Sequence, residues 1–96
     1  MSDHYLVREG HCLAVFNSTH RALKAEGILK GMGLPILLIP APRALATDCG
    51  LALRFEDEHL SAILQILRSR DLQPAYVSCL RDGQYNRYQE HFDDNH

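Results

Sequence analysis

Two stretches decide the fold: Pro35-Ile36-Leu37-Leu38-Ile39-Pro40 and, after a loop, Leu51-Ala52-Leu53-Arg54-Phe55. They are strand-like runs that follow one another with no helix between them. The first is aliphatic and bounded by prolines, which remove ladder donors and favour strand ends and sheet edges, so it reads as an edge strand. In the second, Leu51, Leu53 and Phe55 alternate with Ala52 and Arg54, the two-residue period of a strand with one face buried.

On the N-terminal side, Cys12-Leu13-Ala14-Val15-Phe16 is a short apolar run that ends at Asn17-Ser18, a buried strand followed by a helix cap. From Thr19 to Met32 the apolar residues Ala22, Ala25, Leu29 and Met32 recur at steps of three and four, which predicts a helix closed by Gly31 and Gly33. On the C-terminal side, Glu56-Asp57-Glu58 puts carboxylates where the positive end of a helix dipole favours them. The stripe Leu60, Ile63, Leu64 and Leu67 follows, and Arg68 and Arg70 complement the other end. Leu72-Gln73-Pro74 breaks that pattern, and Ala75-Tyr76-Val77-Ser78-Cys79-Leu80 reads as a last strand.

The order β-α-β-β-α-β predicts an α+β, ferredoxin-like fold, with a four-stranded antiparallel sheet and two helices on one face. Right-handed crossovers place the first and third strands side by side in the centre. The other sheet face is expected to be open and lined by Ala14, Phe16, Ala52 and Arg54, a surface on which a partner or a second copy could dock. One domain is expected over residues 11–80, between a flexible N-terminus at 1–10 and a polar tail at 81–96 in which Tyr85, Tyr88 and Phe92 form a sparse helical stripe at most.

Ninety-six residues, 46% of them hydrophobic, suffice for one small core and exclude a second domain. Ten Lys and Arg are scattered among twelve Asp and Glu, so the chain lacks the basic footprint that nucleic acid requires. The polar first ten residues do not read as a secretory signal, and no apolar run approaches the roughly 20 residues that cross a bilayer. A cytoplasmic protein is expected, and three cysteines without paired spacing fit a reducing setting better than a disulfide framework.

Chemistry concentrates at Cys49. It sits in the loop Pro40-Ala41-Pro42-Arg43-Ala44-Leu45-Ala46-Thr47-Asp48-Cys49-Gly50, at the mouth of the predicted third strand. A thiol acts as nucleophile or carrier through its thiolate. Gly50 would let another chain approach, and Arg43 could fold toward the sulfur to position an anion. Arg54 is five strand residues away, roughly 16 Å, too far to share one small anion with Cys49.

The neighbouring Asp48 opposes a second negative charge. An ordinary buried cysteine remains the default reading of any single thiol, and Cys12 and Cys79 read as structural residues of their strands. If all three thiols gathered at one end of the sheet, Cys12 or Cys79 could resolve an oxidised Cys49, or join His11 around zinc. No C-x-x-C pair supports the metal, and none is expected. His20, His59, Ser18 and Thr19 read as solvated or capping helix residues, and no phosphate loop or G-x-S-x-G turn is present.

A phenylalanine followed by Ser18-Thr19-His20, then Ala22-Leu23-Lys24-Ala25-Glu26, Ile39-Pro40, Pro42-Arg43 and Cys49-Gly50-Leu51-Ala52-Leu53-Arg54-Phe55 resembles the putative selenium/sulfur carrier protein-like family of bacteria. The resemblance implies an accessory carrier rather than a self-sufficient enzyme. In it Cys49 would hold sulfur or selenium as a persulfide or selenopersulfide, exchanged with donor and acceptor proteins, and Pro42, Arg43, Gly50 and Arg54 would bind substrate or partner. No cofactor is implied beyond that transient cysteine-bound atom. The contrasting reading is a regulatory or interaction module that pairs through the open sheet face, as a homodimer or with another protein.

Overall fold

The structure, a computed structural model, describes residues 6–89. Its elements in chain order are β1 (His11–Val15), α1 (Thr19–Gly31), β2 (Leu37–Pro40), β3 (Leu51–Glu56), a 3-10 turn at Asp57–His59, α2 (Leu60–Ser69), β4 (Tyr76–Arg81) and β5 (Gln84–Arg87). The strands form one antiparallel sheet in the order β2-β3-β1-β4-β5. The chain is therefore an α+β fold, with β1 and β3 adjacent and β2 at an edge, as the sequence predicts.

Both helices end in the same device. Gly33 at φ 80° lets its own N–H reach the Lys30 carbonyl while the Leu34 N–H reaches Leu29. After α2, Asp71 at φ 58° plays the part of Gly33, and the N–H groups of Asp71 and Leu72 reach Arg68 and Leu67. At the start of α1 the Ser18 hydroxyl accepts the Arg21 N–H, the capping role expected of it.

Two corrections concern the sheet. It has five strands, because Asp82 and Gly83, at φ 55° and 75°, make a two-residue hairpin turn that folds 84–87 back on β4 as a strand, not a tail or a helical stripe. Tyr85 lies in that strand, and Phe92 lies outside the described residues. The second correction is of face. Cys12 and Ala14 of β1, with Phe16 just past its end, pack with Leu53, Phe55, Val77 and Cys79 beneath α1 and α2, so Ala14 and Phe16 belong to the helix side. Ala14 opposes Leu53 in the ladder, and residues that oppose one another share a face.

The face expected to be open is covered over its middle. Leu13, Val15, Ile39 and Ala52 are buried there under Val7 and Leu45. The segment 6–10, expected to be flexible, is tied down at several points. Arg54 donates to the Leu6 carbonyl, the Gly10 N–H reaches Leu80, and the Glu9 carboxylate accepts the Asp82 and Gly83 N–H groups. His11 completes the lock: its Nδ1 accepts the Arg8 N–H, so its proton sits on Nε2, 3.1 Å from Glu56. No helix among the described residues is long and apolar enough to cross a membrane.

Candidate functional site

The ten residues between β2 and β3 carry Cys49, and their conformation follows from local chemistry. The Ala41 N–H donates to Gly50 across the loop mouth, the Leu45 N–H closes a turn onto Pro42, and Pro42 and Leu45 are buried. Gly50 takes φ 75°, with nothing within 4 Å of where a Cβ would stand. Its glycine is required by backbone conformation, and the space beside it is open to an approaching group.

Thr47 organises the sulfur. Its hydroxyl oxygen accepts the N–H groups of Cys49 at 3.2 Å and Gly50 at 3.3 Å, a serine/threonine turn, and lies 3.6 Å from Cys49 Sγ. With both acceptor directions engaged, the hydroxyl proton is free to point at the sulfur. The Leu51 N–H donates to Sγ from 3.4 Å, and the Leu51 carbonyl, also at 3.4 Å, takes the S–H proton when the thiol is protonated. Sulfur bearing negative charge thus has two donors, one from the backbone and one from Thr47. Cys49 is partly exposed, so a reagent can reach it.

The loop is fastened to the sheet by Tyr76, whose hydroxyl donates to the Ala46 carbonyl at 2.6 Å. The Arg87 guanidinium stacks 3.8 Å above the Tyr76 ring. Burial raises the Tyr76 phenol above its ordinary pKa, and the Arg87 charge pulls in the opposite direction. A cleft of about 190 Å³, lined by Asn17, Thr47, Asp48 and Tyr76 among others, opens beside the loop.

Cys12 and Cys79 face each other across β1 and β4 and form a disulfide, with Cα atoms 4.0 Å apart. This corrects the expectation that the cysteines do not pair. It also removes the gathering of three thiols at one end. β3 runs antiparallel to β1, so Cys12 stands opposite Phe55, six residues and roughly 20 Å from Cys49. Neither Cys12 nor Cys79 can resolve an oxidised Cys49. Cys49 is the free thiol, and among the described residues no cluster of His, Cys, Asp and Glu could hold a metal ion.

Of the other residues singled out in the sequence, Pro42, Arg43 and Gly50 share the loop with Cys49, and Arg43 is exposed in its first turn. Arg54 stands apart, on the far side of Ala52 and engaged with Leu6. His20 is exposed on α1, and His59 meets Glu58 at 3.4 Å.

A family model described as putative Se/S carrier protein-like matches residues 11–79, from the first residue of β1 to Cys79 in β4. The chain belongs to that family. The matched span of this Se/S carrier-like chain includes both helices, the Cys49 loop and both disulfide cysteines, and stops short of the β4–β5 turn. No curated protein matches the chain, and no solved structure does.

Thr47, Tyr76 and Arg87 were missed as site residues from the sequence. For Thr47 a signal existed, a hydroxyl two residues before a Cys-Gly pair. Tyr76 and Arg87 meet only because β5 exists, and the polar run 84–87 gave no strand period to reveal it.

Proposed function

We propose that this protein is a carrier that holds one sulfur or selenium atom on Cys49. The observation that supports this most directly is the Cys49 sulfur itself: a partly exposed free thiol with the Leu51 N–H and the Thr47 hydroxyl at hand, in a chain of the Se/S carrier-like family.

In the loading step the Cys49 thiolate attacks the outer sulfur or selenium of a donor protein's persulfide or selenopersulfide. A Cys49 S–S or S–Se bond forms while the donor's own bond to that atom breaks, and the electron pair of the broken bond leaves on the donor thiolate. The Cys49 proton goes to solvent or to that thiolate, and no external oxidant or reductant is needed. Discharge is the mirror step: an acceptor nucleophile attacks the outer atom and Cys49 returns as thiolate. The two donors to Sγ serve the moments at which Cys49 carries negative charge. The exposed part of the loop, from Arg43 to Gly50 and set on the buried Pro42, is the docking surface for donor and acceptor proteins, and the absence of a side chain at Gly50 leaves room for the transferred atom to be reached.

Cyanolysis tests the reading. After incubation with a cysteine desulfurase and cysteine, followed by removal of small molecules, the protein is expected to yield about one thiocyanate per chain on treatment with cyanide, and Cys49→Ser none. Equal yields from both would overturn it.

A further inference from the structure

A second cleft lies on the other side of Tyr76. It measures about 290 Å³ and is lined by Ala44, Leu45 and Ala46 of the loop and by Tyr76, Ser78, Tyr85 and Arg87 of β4 and β5. Its polar groups are arranged by the ladder. Ser78 and Arg87 are direct cross-strand partners and so share a face, with Tyr76 two residues along β4.

Two of these groups have side-chain donors that no acceptor takes up among the described residues. Arg87 is held over the Tyr76 ring, yet among the described residues its guanidinium has no carboxylate and no hydrogen-bond acceptor. Ser78 is the buried polar residue of the sheet, 3% exposed, and its hydroxyl makes no hydrogen bond among the described residues while it lines the cleft. The Ser78 hydroxyl is therefore open to the cleft rather than sealed in the core, since no side-chain polar atom among the described residues is both buried and unpartnered. A stacked arginine has already lost the side-chain freedom that binding would otherwise remove.

We infer that this cleft is a binding site for a small tetrahedral oxyanion, with the Arg87 fork and the Ser78 hydroxyl as its donors. Arginine presents paired N–H groups that match two oxygens of such an anion, and a third oxygen can take the Ser78 proton from the sheet floor. A planar carboxylate has two oxygens and cannot engage both groups as fully. The site is independent of the Cys49 thiol, and the Cys49→Ser protein is expected to keep it.

Titration of the full chain with inorganic phosphate, sulfate and acetate at constant ionic strength, followed through the backbone amide signals of Ser78 and Arg87, tests the assignment. Saturable binding of phosphate or sulfate, with acetate weaker, is expected. Arg87→Gln is expected to weaken it about tenfold or more, the scale of a charged hydrogen bond, and Ser78→Ala severalfold. Cys49→Ser is expected to bind like the parent, which separates failure of this site from failure of the carrier. Absence of saturable binding, acetate binding as tightly as phosphate, or affinity unchanged in both Arg87→Gln and Ser78→Ala would overturn the inference.

Discussion

The Tyr76 hydroxyl donates to the Ala46 carbonyl at 2.6 Å, so a side chain of β4 holds the loop that presents Cys49. Removing only that hydroxyl isolates its role. Tyr76→Phe keeps the ring under Arg87 and is expected to cost about 1 kcal/mol of stability, the usual net value of one hydrogen bond. Amide hydrogen exchange across 44–50 is expected to quicken, with the helices unchanged. Unaltered exchange in the loop would show that Tyr76 does not fasten it.

The burial of the same phenol predicts a pH dependence. Burial holds the Tyr76 pKa above the ordinary 10.0, so the folded state keeps this proton more tightly than the unfolded chain. Such a group contributes its stability fully below the unfolded pKa and loses it as pH rises through the folded one. Stability attributable to Tyr76 is therefore constant up to about pH 10 and declines above it. Denaturant titrations are expected to show a steeper alkaline decline in the parent than in Tyr76→Phe.

Thr47 is expected to matter for reactivity more than for stability. Thr47→Val removes the acceptor of the Cys49 and Gly50 N–H groups and a donor to Sγ. Alkylation of Cys49 by iodoacetamide at neutral pH is expected to slow severalfold, while Thr47→Ser, which keeps the hydroxyl, is expected to retain the parent rate.

The disulfide sets a thiol count. Denatured without reductant, the protein is expected to show one reactive thiol, and three after reduction. Loss of the bridge in the double variant Cys12→Ala with Cys79→Ala is expected to cost about 2–4 kcal/mol. Loading of Cys49 is expected to survive, because the bridge lies roughly 20 Å from it.

Much of this architecture was legible in the residues. The β-α-β-β-α-β order follows from hydrophobic period and from the prolines around β2, and these local signals agree with the tertiary packing. The faces were harder. Phase along β1 is ambiguous when Cys12 to Phe16 are all apolar, and only pairing with β3 assigns Ala14 to the helix side. β5 has no apolar alternation, so its one sequence sign is Asp82-Gly83. At the site, the thiol and its loop stood out. Its hydrogen bonds did not, since they depend on the Thr47 turn and on a β4 side chain thirty residues from the carbonyl it holds.

Mass spectrometry of the intact and digested protein, after exposure to a desulfurase with cysteine or selenocysteine, tests the central claim most directly. The carrier account predicts one added sulfur or selenium atom, on the peptide that contains Cys49, removed by reductant and absent from Cys49→Ser. An added atom on a Cys12 or Cys79 peptide, or equal loading of Cys49→Ser, would contradict it.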